Sequence, residues 1–179
     1  QEELDLRTVF SATIIPKVLY FERQPQVDLE YSKNFRQEIG LEEDDVMILQ
    51  PTRIVQRKGI EHAIELVKDL KDPRCKLIIS HEAGDEGYEY QERVKEYADL
   101  LGIKAKFVDD IIGDRRAFTP DGKKIYSLQD IYPHADLITY PSIFEGFGNA
   151  FLEAIYFRKP ILVNNYSIYS HDIKPKGFD

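Results

Sequence analysis

The sequence predicts an α/β fold: a doubly wound parallel sheet with helices packed on both faces. Two patterns carry that expectation. Short apolar, β-branched runs alternate with stretches of helical periodicity through most of the chain, as strand–helix–strand units require. The strands also lack apolar–polar alternation, which fits burial on both faces of a parallel sheet. The length of 179 residues sets one domain, at roughly 100–200 residues each. A chain of this size buries about 70% of its unfolded surface, so its core needs no disulfide staples.

The elements follow in order. Val46–Thr52 reads as the first strand, entered from the acidic turn Glu42–Asp45. Gly59–Leu70 is a helix, because Ile60, Ala63, Ile64, Val67 and Leu70 fall on one face. Lys76–Ser80 is the second strand. Tyr88–Leu101 is the second helix, packing Val94, Tyr97, Ala98 and Leu101, with Gly102 placed to end it. Lys104–Val108 is the third strand. Asp109–Lys124 is polar and broken by Gly113, Pro120 and Gly122, so it reads as a long loop. Ser127–Tyr132 is a short helix, Asp136–Tyr140 a strand, Asn149–Arg158 a helix and Ile161–Asn164 the last strand.

Residues 1–45 read differently. Ile14–Pro16 and Gln24–Val27 look extended, and Ser32–Ile39 is expected to be a short helix packing Phe35 and Ile39. The expected division is an interdomain linker and leading segment over 1–45, then a ligand-binding domain over 46–179. The first residue is Gln1 and the one methionine is Met47, so the chain is expected to be a segment of a longer protein.

Composition narrows the function. With 24 basic against 32 acidic side chains the net charge is −8, whereas a nucleic acid polymer needs a basic face. No apolar run approaches the roughly 18 residues of a membrane span. Cys75 is alone and no Cys/His cluster has metal-ligand spacing, so the expectation is a reducing, cytoplasmic compartment.

Two loops at the carboxyl ends of strands carry chemistry, where open parallel sheets bind ligands. Pro51–Gly59 holds Arg53, Arg57 and Lys58 next to a helix N-terminus. Cations are disfavoured there by some tenths of a kcal/mol unless an anion joins them. A solvated basic turn is the lesser alternative to an anion-binding loop. A dinucleotide-binding G-x-G-x-x-G is absent from this loop, which argues against a nicotinamide dehydrogenase. The second loop runs from Pro141 to Glu153. Ser142 and Glu145 have capping-box spacing, but a helix starting there would carry Gly146 and Gly148 in its first turns, at about 1 kcal/mol each. A tight Glu145–Gly148 loop before a helix at Asn149 is the better account, its glycines letting backbone amides approach a ligand. That helix is apolar nearly all round, so Glu153 either takes ligand hydroxyls or sits at an exposed edge. Eight residues of helix span about 12 Å, more than the roughly 5–9.5 Å of a glycosidase carboxylate pair.

Glu145-Gly-Phe-Gly-(x)4-Glu153 resembles the E-x7-E motif of retaining GT-B glycosyltransferases of family GT4. Arg53 with Lys58-Gly59 resembles that family's diphosphate-binding pair, and Tyr140-Pro-Ser142 and the Leu128–Asp136 stretch match the same pattern. The resemblance implies the donor-binding, C-terminal, Rossmann-like half of a GT-B fold. It implies a nucleotide-diphosphate sugar as donor, transferred with retention and without an essential metal, with the acceptor held by an N-terminal domain expected to be missing from this chain. Arg53 and Lys58 would hold the diphosphate and Glu153 the ribose. Glu145 would contact the transferred sugar, with Gly146, Phe147, Gly148 and Asn149 lining sugar and phosphate. The base would lie near Val108, Asp109 and Ile111, contacted mainly by backbone. Alone, the segment would bind donor weakly and catalyse little. Asn often follows Pro in the family's linker where this chain has Lys17, and Asp109–Lys124 is longer than usual. Alternatives are a non-catalytic binding module of the same fold or a nucleotide-sugar epimerase. A phosphorylase would need a pyridoxal lysine, which no context here supplies. His81, Glu82 and Asp85 follow the second strand on the ligand side. His81 reads more simply as a loop histidine than as a ligand contact.

Overall fold

The computed structural model describes residues 20–23, 27–83 and 88–178. Ile14–Pro16, Gln24–Gln26 and Asp85 lie outside them. In chain order the elements are α1 (Leu29–Ser32), α2 (Phe35–Glu38), β1 (Val46–Gln50), α3 (Ile60–Leu70), β2 (Cys75–Ile79), α4 (Glu89–Leu100), β3 (Ala105–Phe107), β4 (Ile112–Gly113), β5 (Ala117–Phe118), β6 (Lys124–Ser127), α5 (Leu128–Ile131), β7 (Leu137–Tyr140), α6 (Asn149–Tyr156) and β8 (Ile161–Val163).

The main sheet has five strands in the order β3-β2-β1-β7-β8. Every pairing in it is parallel. Alternate residues of β1 feed different layers. Met47 and Leu49 join Phe35, Ile78, Tyr126, Tyr132 and Ile138 on one face. Ile48 joins Ile60, Ile64, Leu77, Tyr90 and Val94 on the other. This burial on both faces is why the strands read as continuous apolar runs.

The chain builds outward from β1 through β2 and β3, then returns to place β7 on the other side of β1. The topological switch point therefore lies between β1 and β7, where the connections after these strands diverge and open a crevice. The loops that leave these two strands, 51–59 and 141–148, are the two that sequence singled out. They meet directly: Ile143 N–H donates to the Arg57 carbonyl at 2.9 Å. Gly59 is required at their junction. Its φ is +61°, and a Cβ there would lie 2.6 Å from the Pro141 carbonyl oxygen.

The Ser32–Ile39 helix is two short helices, α1 and α2, broken at Lys33–Asn34. Phe35 and Ile39 pack into the core as expected, joined by Leu41. Arg36 ties this segment to the sheet by donating to the His134 carbonyl at 3.0 Å and to Asp136 at 3.2 Å.

The stretch Asp109–Lys124 is not the irregular loop that its polarity and glycines predict. It forms a 3-10 turn at Asp109–Ile111, then β4 and β5, which pair with β6 in a small three-stranded sheet ordered β4-β6-β5. Fully buried Tyr126 anchors β6, its ring 5.1 Å from that of Phe35. The Tyr31 hydroxyl bridges the strands, donating within 2.9 Å of the carbonyl oxygens of Ala117 and Ile125. Sequence periodicity could not show this sheet, because β4 and β5 have two residues each. From β6 the chain enters α5 through a capping box, in which Ser127 and Asp130 satisfy each other's backbone.

Candidate functional site

The helix following β7 starts at Asn149, leaving Glu145–Gly148 as a tight loop. Gly148 sits at φ +97°, and a Cβ there would approach the Tyr140 hydroxyl to 2.8 Å. Glycine lets the backbone pass over Tyr140, while the Tyr166 hydroxyl donates to the Phe147 carbonyl at 3.0 Å and fixes the loop from below. The N-terminal end of α6 carries the positive pole of the helix toward this loop, and that pole favours an anion.

Lys58 lies under that loop. It is 9% exposed, as is Glu145, and its ammonium group donates directly to Glu145 Oε1. Arg57 Nη1 reaches the same oxygen at 3.2 Å. The Lys58 ammonium also stands 5.4 Å from the centre of the Tyr140 ring. Burial pulls the Lys58 amine below its ordinary pKa, and Glu145 only partly restores it. Burial pushes the Glu145 carboxyl up, but the hydrogen bond and charge of Lys58 outweigh that and hold it below its ordinary value. The buried carboxylate thus occupies the cation. An incoming anion would have to share it.

These groups line a cleft of about 400 Å³ that gathers Arg53, Lys58, Glu145 and the Gly146–Ala150 turn. It opens at His81, Leu128 and Glu153 into a wider cleft of about 920 Å³. Glu153 is half-buried at the boundary, and its Oε2 accepts from the Tyr132 hydroxyl at 2.9 Å. Tyr132 is fully buried, and burial followed by the charge of Glu153 pushes its phenol well above its ordinary value. It is therefore a fixed proton donor that aims the carboxylate.

The structure brings Arg53, Lys58, Glu145, Gly146, Phe147, Gly148, Asn149 and Glu153 to one cleft. Asp109 lines the wider one. The Val108 and Ile111 side chains are packed in the core, which leaves their backbone as the part expected to meet a ligand, and Ile112–Arg116 of the small sheet continue the wall beyond Asp109. Sequence reasoning missed Tyr132, which read only as the end of a helix. It also missed the cleft wall contributed by Arg115 and Arg116, because that stretch read as a loop. Arg116 is braced by Asp130, with its Nη2 2.6 Å from a fully buried carboxylate. Among the described residues no group of three or more His, Cys, Asp or Glu side chains could hold a metal ion, and no helix is long and apolar enough to cross a membrane.

The parallel sheet, with its cleft at the topological switch point and Glu153 at one end of that cleft, is a Rossmann-like fold of the GT-B type. The model for glycosyl transferases group 1 matches residues 32–177, and the chain belongs to that family. It is similar to mannosylglucosylglycerate synthase of Petrotoga mobilis, at 36% identity over all of this chain and 45% of that protein. The chain thus spans less than half the length of that relative. Among solved structures it is similar to WaaG, a glycosyltransferase involved in lipopolysaccharide biosynthesis, with TM-score 0.64, 21% identity and coverage of 91% of this chain and 40% of that one. It also resembles Anabaena Alr3699/HepE in complex with UDP-glucose, with TM-score 0.62, 19% identity and coverage of 78% and 35%. Both show the fold.

Proposed function

We propose that this chain is the donor-binding half of a retaining, GT4-type glycosyltransferase that uses a nucleotide-diphosphate sugar. The observation that carries this is the pair of joined clefts. One supplies buried Lys58, Arg53 and the positive N-terminal pole of α6, and the other is reached past Glu153. A diphosphate placed in the first leaves a nucleoside directed into the second, with its ribose at Glu153.

In this reading the bond from the sugar's anomeric carbon to the diphosphate oxygen breaks, and the leaving diphosphate keeps the electron pair. Lys58 and Arg53 stabilise that growing charge in a partly water-excluded cleft, where such groups act most strongly. This leaves no step that needs a metal ion. Glu145 shifts from holding Lys58 toward accepting hydrogen bonds from the sugar's hydroxyls. The hydroxyl oxygen of an acceptor held by another domain of the whole protein then bonds to the anomeric carbon on the face the diphosphate leaves, giving its proton to the departing diphosphate, so that configuration is retained. Alone, the 179 residues would bind donor weakly and transfer little. A cytoplasmic location belongs to the same reading, supported by the lone Cys75.

The test is transfer by the whole protein. Purified protein is given UDP-, GDP- and ADP-sugars with candidate acceptors, and the product's anomeric configuration is read by NMR. Mannosyl donors come first, following the name of the Petrotoga relative. Transfer with retention is the expected result. Transfer with inversion, or none from any nucleotide sugar, would overturn it.

A further inference from the structure

His81 is used by none of the chemistry above, yet it lines both clefts at the point where they join. It follows β2, and its Nδ1 is 2.8 Å from the hydroxyl oxygen of Ser80, a residue only 1% exposed. That contact pins the ring and leaves Nε2 as the nitrogen available to a ligand. A serine hydroxyl both donates and accepts. Ser80 can therefore donate to a neutral ring whose proton is on Nε2, and accept from a charged ring carrying both protons.

We propose that His81 is a donor-binding residue, hydrogen-bonding through Nε2–H to the diphosphate where it joins the ribose and gaining a proton as that anion arrives. This rests on reading the narrow cleft as a nucleotide-sugar diphosphate site.

The electrostatics support it. Burial, then the charges of Lys58 and Arg53, hold the imidazole below its ordinary pKa in the unliganded protein. The groups around it come from every wall. Arg53 and Lys58 rise from the loop after β1, Glu145 precedes α6, Glu153 lies on it, and Glu82 is the next residue in the chain. Across the wide cleft stand Asp109, Asp114, Arg115 and Arg116. Glu145 is already committed to Lys58 and Arg57, and Arg116 to Asp130. A bound diphosphate brings two negative charges to the cationic side. It quenches the repulsion from Lys58 and Arg53 and adds attraction at hydrogen-bond distance. An opposite charge this close raises a pKa by about 1–3 units.

The sign follows. Because binding raises the imidazole pKa, affinity climbs as pH falls through the value in the complex and levels off below the value in the free protein. The diphosphate of a nucleotide sugar has no ionisation of its own between pH 5.5 and 8. His81 is also the one histidine lining either cleft among the described residues.

The experiment is an NMR titration of the chain with UDP-glucose, GDP-mannose and ADP-glucose at millimolar concentration. Amide shifts give affinity and imidazole nitrogen shifts give the His81 titration, in wild type and His81→Gln. Glutamine keeps a neutral donor and cannot titrate. Expected is an upward move of the His81 midpoint on saturation and affinity at least about fivefold tighter at pH 5.5 than at pH 8. His81→Gln should keep the native amide spectrum and lose that pH dependence. Binding with an unmoved His81 midpoint, or an unchanged pH profile in His81→Gln, overturns the role of His81 and leaves the cleft's assignment standing. No binding of any nucleotide sugar overturns both.

Discussion

Replacing Lys58 by methionine would strand Glu145. The carboxylate is 9% exposed and loses the ammonium that holds it, while Arg57 stays within 3.2 Å. Breaking a fully buried pair costs about 3–5 kcal/mol. Arg57 remains and the cleft admits water, so the expected loss is smaller, about 2–3 kcal/mol. For a domain of this size each kcal/mol moves the melting temperature by about 2–4 °C, which gives a drop of about 4–12 °C. Glu145→Leu added to Lys58→Met removes the stranded charge and fills its place with apolar side chains. The double variant should recover most of the stability, as paired replacement of buried ions often does. It should still bind nucleotide sugars about 1–3 kcal/mol more weakly than wild type, since one of the two phosphate-facing cations is gone. Thermal denaturation by circular dichroism, with NMR titration of each variant, separates the two effects. A Lys58→Met variant as stable as wild type, or a double variant less stable than Lys58→Met, would refute the buried-pair argument.

Four further changes probe the surroundings. Glu153→Ala should weaken nucleotide-sugar binding by about 1–3 kcal/mol, the loss of a charged hydrogen-bond partner, with the fold unchanged by circular dichroism. Tyr132→Phe should weaken it less, through misaiming of the carboxylate. Gly148→Ala meets both a φ of +97° and the Tyr140 hydroxyl. It should cost about 1–3 kcal/mol and reduce binding together, as measured by denaturant melts and titration. Burial raises the Asp130 carboxyl, but Arg116 and Ser127 outweigh that and leave its pKa lowered. Its contribution to stability is therefore full above an ordinary carboxylate's pKa of about 3.9 and lost as pH falls through the lower folded value. Asp130→Asn should destabilise the protein at pH 7 by about 1–3 kcal/mol and flatten acid unfolding, read by melts between pH 2 and 7.

The main sheet was legible because each strand is a short apolar run and each long helix shows a clear face, as in Ile60, Ala63, Ile64 and Val67. The glycine loop was legible too, since Gly146 and Gly148 are costly inside a helix. What sequence hid is what depends on distant pairing. Lys58 and Glu145 are 87 positions apart, and nothing local says that one buries the other. Tyr132 and Glu153 meet across 21 positions. The small sheet stayed hidden because its two-residue strands have no period, and what stabilises them is Tyr126 against Phe35 from the leading segment. His81 looked like an ordinary loop histidine until the two clefts were seen to meet at it.

The central claim is that the joined clefts hold a nucleotide-diphosphate sugar, with phosphate at Lys58 and ribose at Glu153. The most direct measurement is a two-dimensional amide NMR titration of the chain with UDP-, GDP- and ADP-sugars at millimolar concentration. Saturable shifts at Arg53, Lys58, Gly146–Asn149 and Glu153, weakened by about 1–3 kcal/mol in Lys58→Ala, are the predicted result. Unmoved amides around Arg53, Lys58 and Glu153 with every nucleotide, or wild-type affinity in Lys58→Ala, would contradict it.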